Sequence, residues 1–516
     1  MTRVVETWRP VEAACLQRAL RLTNEAFAET LGSAPRTIAK WHANPNMSLT
    51  LEMQEALDTL LLRAPEPAQQ RFELLRQAEA PRSTEPQRRR MEARLHGATH
   101  LESALAYLDE LRVGAPESSF DGVVTQAVAQ AARPVQTSGT AKVARRDLSN
   151  LLLDYYGGGA ALQGTVTLKS GRGRLGTTLV SREAWMPIGA DLPSSDVSFQ
   201  LVTDDPATPP APTPLLMAAA HDRVAECLTG RTRFADQSTY RLTEVNDRDG
   251  GLLIKFGLST FARYALTWDL LEAEAYSAIA QGRQALPLRD QLLPDMDGVF
   301  KPAGRECVGG ALALTAFARP RTRDRRADYL LLVQQRSGRV INGVGRLSVI
   351  PKCFHQPTNE ARAEVGVDTT LIRELEEELF GREEVDGSQG AFSVADLLHP
   401  SRLSEPMRWL LEGQRLGLHL TGFAFNLVAG SFEFPALVAI QDEEFWARFG
   451  GSVEANWESS GLTRHSSLDR EGLEVLMDDP RWSDEGLVAL ALGLKRLAAL
   501  DPERVSVPDF EIGVTS

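Results

Sequence analysis

The stretch IRELEEELFG, residues 372–381, sets four glutamates and one arginine into fewer than about three turns of helix. At about 100° per residue, Leu371, Ile372, Leu375 and Leu379 fall on one side and Glu374, Glu377 and Glu378 on the other. The spacing therefore predicts an amphipathic helix over 367–381. Glu376 falls outside the acidic cluster, and Arg373 lies beside Glu377, where it offsets the repulsion among the carboxylates. Such a run has two readings. One is a solvated helix face, the commonest meaning of clustered glutamates. The other is a grip for a hard divalent cation, Mg2+ or Mn2+, because three carboxylates at i, i+3 and i+4 repel one another without a counterion.

The order of residues favours the second reading. Arg373-Glu374-Leu375-Glu376-Glu377-Glu378 resembles the Arg-Glu-apolar-any-Glu-Glu core of the Nudix box, and it follows a strand-loop segment, GRLSVIPKCFHQP (345–357), as in that family. The resemblance covers residues 301 to 500. It implies an α/β sandwich in which a mixed sheet lies between helices, with WSDEGLVALALGLKRL (482–497) as the closing helix. It also implies metal ligation by Glu374, Glu377 and Glu378, a catalytic set of these three with Arg373, and a nucleotide-type diphosphate as the ligand. The metal would polarise the diphosphate and activate water. Three departures accompany the match. Lys352-Cys353 stand where the family carries a glycine pair. Val365 stands where a further glutamate is usual, with Glu364 one place off. Phe380 takes the place of a glycine, and Gly381 follows. The helix is kept and its supporting loop is altered, so hydrolysis and binding without turnover both stay open. His355, near this loop, suits a structural role or a ligand contact.

Outside this region, 516 residues are too many for one core and predict several domains. We divide the chain into an all-α domain at 1–62, a linker at 63–90, an α+β middle domain at 91–300 and the Nudix-like domain at 301–516. The linker reading rests on the prolines of LLLRAPEPAQQ and on the polar run PRSTEPQRRR (81–90). GRGRLG (171–176) fits a phosphate-loop pattern in letters, but no helix is expected after it. It reads as a hairpin turn with a basic tip of Lys169, Arg172 and Arg174. With 43% hydrophobic and 24% charged residues, and no run of roughly 20 apolar residues, the composition predicts a cytoplasmic protein without a membrane span. Cys15, Cys227, Cys307 and Cys353 are too scattered for a disulfide framework or a zinc site.

The net charge of −13 argues against a chain that coats nucleic acid along its length. The first hundred residues differ, with 14 Lys and Arg against 12 Asp and Glu, or +2, leaving −15 for the rest. Within them, TNEAFAETLGSAPRTIAKW (23–41) places Phe27, Ala28 and Leu31 at helical spacing. Gly32 then stops the helix, and a second one starts after Ser33 with Ile38 and Trp41 inward. The order of Ala28, Gly32 and Ile38 resembles the helix-turn-helix of Cro/lambda-repressor-type regulators. That resemblance implies double-stranded DNA as partner, a homodimer, and a reading helix whose base-facing positions are Ser33, Ala34, Pro35, Arg36, Thr37 and Lys40. Arg36 is placed for guanine, Lys40 and Asn24 for phosphate. The two ends together suggest a DNA-binding transcriptional regulator whose Nudix-like domain binds, or also hydrolyses, a phosphorylated metabolite. The alternative is an active Nudix hydrolase with accessory N-terminal helices.

Overall fold

The computed structural model describes residues 8–43, 47–79, 84–112, 118–131, 143–158, 162–171, 173–203, 206–230, 232, 234–248, 251–337, 340, 343–380, 403–450, 453 and 459–516. Mixed helix and sheet, it divides into two compact units, Met1–Arg94 with Val128–Val135, and Leu95–Ala127 with Gln136–Ser516.

In the first unit the helices Pro10–Leu20, Asn24–Thr30, Pro35–Ala43, Leu51–Arg63 and Glu66–Glu79 enclose a core that includes Trp8, Leu16, Phe27, Ile38, Trp41 and Phe72. Phe27, Ala28, Leu31, Ile38 and Trp41 are all buried, as their spacing predicts. Gly32 sits at φ +64°, a left-handed turn that a side chain would strain. The Trp8 indole N–H donates to Asp58 at 2.7 Å, and Arg71 donates two bonds to the Ala19 carbonyl at 3.1 and 3.0 Å. The expected linker at 63–90 is largely helical instead, in Glu66–Glu79 and Thr84–His96. Pro65, Pro67 and Pro86 stand just before or within the first turns of these helices, where a missing N–H costs no helical hydrogen bond. Phe72, inside the presumed linker, is fully buried.

Among the described residues the second unit is built on a twelve-stranded mixed sheet. Its main path runs Ser459–Ser466, Asp328–Arg336, Gly310–Arg319, Ser431–Ile440, Ala424–Asn426, Gly173–Val180, Thr165–Ser170, Phe510–Val514. Pairing along this path is antiparallel except between Gly310–Arg319 and Ser431–Ile440. The sheet crosses the expected boundary at 300. Strands 165–170 and 173–180 form the predicted hairpin around 171–172, and they pair respectively with the last strand and with Ala424–Asn426, so the middle region and the C-terminal region share one sheet. Arg172 of the expected basic tip lies outside the described residues. Strand alternation divides the two faces. Leu312, Leu314 and Ala316 join the cluster formed by helix Asp484–Leu500, whereas Phe317 stacks on Phe445 of helix Glu444–Phe449 at 5.2 Å. Helix Val367–Leu379 also packs on strand Gly310–Arg319, with Leu371, Leu375 and Leu379 fully buried. A second sheet orders Val197–Leu201, Gly251–Thr260 and Ser238–Arg248. Among the described residues no helix is long and apolar enough to cross a membrane.

Candidate functional site

Both faces of helix Val367–Leu379 are covered. Glu374 and Glu377 are 8% exposed, Glu376 and Glu378 1% and Arg373 4%, so the solvated-face reading does not describe these side chains. Ile372, expected on the apolar face, is half-buried. The Arg373 guanidinium donates to the Glu374 carboxylate and to the Gln356 carbonyl, each at 2.8 Å. Its direct ion pair is thus with Glu374, and the charge of Glu377 acts on it less strongly. Glu376, which the helical wheel sets apart, accepts bonds from the backbone N–H and hydroxyl of Ser404 and so anchors the start of helix Glu405–Glu412. Glu378 turns to the sheet, accepting from the Lys352 backbone N–H at 2.9 Å and from the Gln334 amide at 3.3 Å.

Glu374 and Glu377 open into a cavity of about 190 Å³ in the second unit. By this measure a single water needs only about 10–15 Å³, so a small organic molecule fits. The cavity wall carries four cations, Arg145, Arg336, Arg346 and Lys352. Arg145 bonds Asp484 at 3.3 Å, and its buried Nε has no hydrogen-bond partner among the described residues. Gly309 and Gly310 form part of the wall, and a Cβ on Gly310 would lie 1.7 Å from the Cys353 carbonyl oxygen. Two neighbours of the acidic helix are chemically quiet. Burial, with the charges of Glu374 and Glu378, pushes the Cys353 thiol well up, so it stays protonated. Burial pushes His355 down to about 3, and its ring is held by Thr370 Oγ1 at 2.8 Å and the Val365 carbonyl at 3.1 Å, which fixes it as a neutral structural residue. Glu364, one place off the family's glutamate, accepts bonds from the backbone of Thr358, Asn359 and Glu360 and braces the loop before the helix.

A second group of acids in the cavity is invisible to motif reading. Lys352 Nζ lies 2.6 Å from Glu485 at the start of helix Asp484–Leu500. Burial raises the Glu485 carboxyl, but the charge and hydrogen bond of Lys352 outweigh it and hold the group below its ordinary value. Glu433, on strand Ser431–Ile440, is raised to about 8 by burial and by the charge of Glu485. Glu272, on helix Leu270–Ala280, is raised to about 7 by burial and by the nearby Asp269. Clustered, perturbed titratable groups in a cavity make it a candidate functional site. The signal in the sequence was slight. Glu433 is a lone acid in the apolar run SFEFPALVAI, and Glu272 and Glu485 sit in ordinary helical segments.

In the first unit, Ala34, Pro35, Arg36 and Lys40 are exposed, and Ser33 and Thr37 are half-buried, around the start of helix Pro35–Ala43. Asn24 is half-buried, and its Oδ1 accepts a bond from Gln17 at 2.9 Å, a contact that does not use the amide N–H groups with which it would donate to phosphate. The other end of Gln17 meets His42 Nε2 at 2.9 Å; since the Gln17 oxygen can only accept, that ring nitrogen carries the hydrogen. Gln17, buried and unremarked in the sequence, thereby ties together the first three helices.

The chain matches no family model and no curated protein.

Proposed function

We propose that the protein is a ligand-responsive DNA-binding regulator. Its first unit reads double-stranded DNA as a homodimer, and its second unit binds a phosphorylated, nucleotide-type metabolite with Mg2+. The observation that carries the small-molecule half is the burial of the acidic helix face, with Glu374 and Glu377 opening into a cavity that also holds Arg145, Arg336, Arg346 and Lys352. Among the described residues the three carboxylates of the Nudix-like motif are not gathered into a preformed cage. The donor chemistry nevertheless suits a hard cation, with carboxylate oxygens on this face and the buried Gln334 Oε1 beside Glu378 lacking a partner among the described residues. Glu374 and Glu377 would hold the ion from the cavity side, with Glu378 behind them. The ion would supply charge neutralisation for a diphosphate, and Arg145 would take an anionic oxygen through its spare N–H groups.

Two results test this reading. Titration calorimetry with ADP-ribose as probe is expected to give binding that requires Mg2+, and Glu377→Gln to weaken it by about tenfold or more. Equal binding with and without Mg2+, or by the variant, would overturn the assignment. Formation of AMP and ribose 5-phosphate in the same samples, the two monophosphates left when water cleaves the diphosphate bridge, separates a hydrolase from a sensor. For the DNA half, the full chain should retard a fragment from its own genomic neighbourhood and Arg36→Ala should abolish the shift, because a bidentate arginine–guanine contact carries about 1–3 kcal/mol of discrimination. An unchanged shift would remove helix Pro35–Ala43 from the reading role.

A further inference from the structure

The charge of −15 beyond residue 100 is unevenly placed. RPRTRDRR, residues 319–326, holds five arginines and one acid, Asp324. It joins strands Gly310–Arg319 and Asp328–Arg336, whose last pair is Arg319 opposite Asp328. The base of this hairpin is pinned. Arg319 donates two bonds to the buried Asp328 carboxylate, through Nε at 2.9 Å and through Nη2. Arg325 lies 3.5 Å from the same carboxylate and donates to the Pro320 carbonyl at 3.3 Å. The Thr322 N–H donates to the Arg325 carbonyl at 2.9 Å, which leaves Arg323 and Asp324 at the tip. Asp328 thus occupies two of the five cations. Arg321, Arg323 and Arg326 stand exposed, with no ion-pair partner among the described residues. Neighbouring acids have arginines of their own. Strand Ser431–Ile440 runs parallel to Gly310–Arg319 with Ile440 opposite Phe317, so residues 442–444 follow at the hairpin's end of the sheet. There Asp442 pairs with Arg415 at 3.0 Å, Glu443 with Arg504 at 2.6 Å and Glu444 with Arg448 at 3.9 Å.

We propose that this hairpin is a phosphate-gripping surface, by which the second unit holds the backbone of double-stranded DNA without reading its sequence. The inference rests on the DNA-binding reading above and extends it, since the net charge places nucleic-acid contact in the first hundred residues alone. All the cations here are arginines, whose planar forks match phosphate oxygens two at a time. The bonds at the base hold the loop in one shape, so less freedom is lost when the tip meets a polyanion. Duplex DNA suits the hairpin better than an anionic membrane does. Residues 320–327 carry no aromatic or large aliphatic side chain to enter a bilayer interface.

Fluorescence anisotropy of the full chain on two labelled duplexes of equal length tests this, one from its own genomic neighbourhood and one with the same bases shuffled. The triple variant Arg321→Gln, Arg323→Gln, Arg326→Gln is expected to bind both duplexes about tenfold or more weakly near about 100 mM salt. On both, the slope of log affinity against log salt should also shrink by about 2–3, because each phosphate contact contributes about 0.9. Asp324→Asn removes the one acid of the tip and should tighten both duplexes, a gain that misfolding does not imitate. Unchanged affinity and slope in the triple variant overturn the hairpin and leave the reading helix standing. A loss confined to the native duplex also overturns it, since a backbone contact is blind to sequence. Arg36→Ala separates the two ideas. Should it leave the native duplex bound as before while the triple variant loses its slope, the reading helix falls and the hairpin stands. No binding of either duplex by the wild-type chain overturns both. Loss of binding to phosphatidylserine vesicles by the triple variant, with duplex binding intact, overturns the DNA contact in favour of a membrane surface.

Discussion

Replacing Arg223 with methionine is expected to lower the stability of the sheet-bearing unit by about 3–5 kcal/mol. Arg223, on helix Pro214–Leu228, places Nη1 2.6 Å from Asp269 Oδ2 just before helix Leu270–Ala280, and the two side chains are 7% and 1% exposed. Methionine fills much of the volume, so the loss is electrostatic, a carboxylate left in the interior with no cation. Burial already raises the Asp269 carboxyl despite its partner, and without Arg223 it rises further. A carboxyl whose folded pKa stands above its unfolded value binds its proton more tightly when folded. The variant therefore loses most at neutral and higher pH and approaches wild type as pH falls towards the unfolded value near about 4. Urea unfolding of the full chain at several pH values measures this, with the transition of the second unit resolved from that of the first. Adding Asp269→Asn should restore most of the loss, since neither charge then remains. A single variant as stable as wild type at neutral pH would show that water or another group already compensates Asp269.

What the sequence made legible follows the range of the forces involved. Amphipathic periodicity is local, so the helices around Phe27 and Ile38 and the helix carrying Leu371, Leu375 and Leu379 stand where their spacing places them. The stop at Gly32 was legible because a positive φ is a property of one residue. Partner choice across hundreds of residues was not. No local pattern announces that Phe510–Val514 pairs with Thr165–Ser170, and that pairing merges the expected middle domain with the C-terminal one. The reading of 63–90 as a flexible or weakly helical connection missed the helix Glu66–Glu79 and its buried Phe72 because proline is ambiguous; it ends one helix and begins the next with equal ease. The site divides in the same way. Four glutamates within one helix are conspicuous, whereas Glu272, Glu433 and Glu485 come from two helices and a strand and converge only through the sheet. In the sequence Lys352 stands out only as a departure from a glycine pair. Its partner, Glu485, lies 133 residues away.

Lys352→Met carries the other large expected effect. Lys352 and Glu485 are 12% and 10% exposed in their side chains, and the ammonium also bears on Glu433 and Glu272 from within the same cavity. In the wild-type chain the signs oppose one another. Glu485 is held below its ordinary value, so its contribution is present above an unfolded pKa of about 4.5 and is lost as pH falls below it. Glu433 and Glu272, raised to about 8 and about 7, contribute most at low pH, and that contribution is lost as pH climbs from about 4.5 to those values. Removing the ammonium puts all three carboxyls in the second class. The variant should then be less stable than wild type by about 3–5 kcal/mol near about pH 8, where the unfolded chain has released these protons and the folded cavity no longer has the ammonium to favour the charged carboxylates, and by much less near about pH 5, where they retain protons. Parallel urea titrations at the two pH values give the difference directly. A stability loss that does not depend on pH would mean that Lys352 acts through packing of its methylene chain, and the shared-ammonium account of the cavity would fall with it.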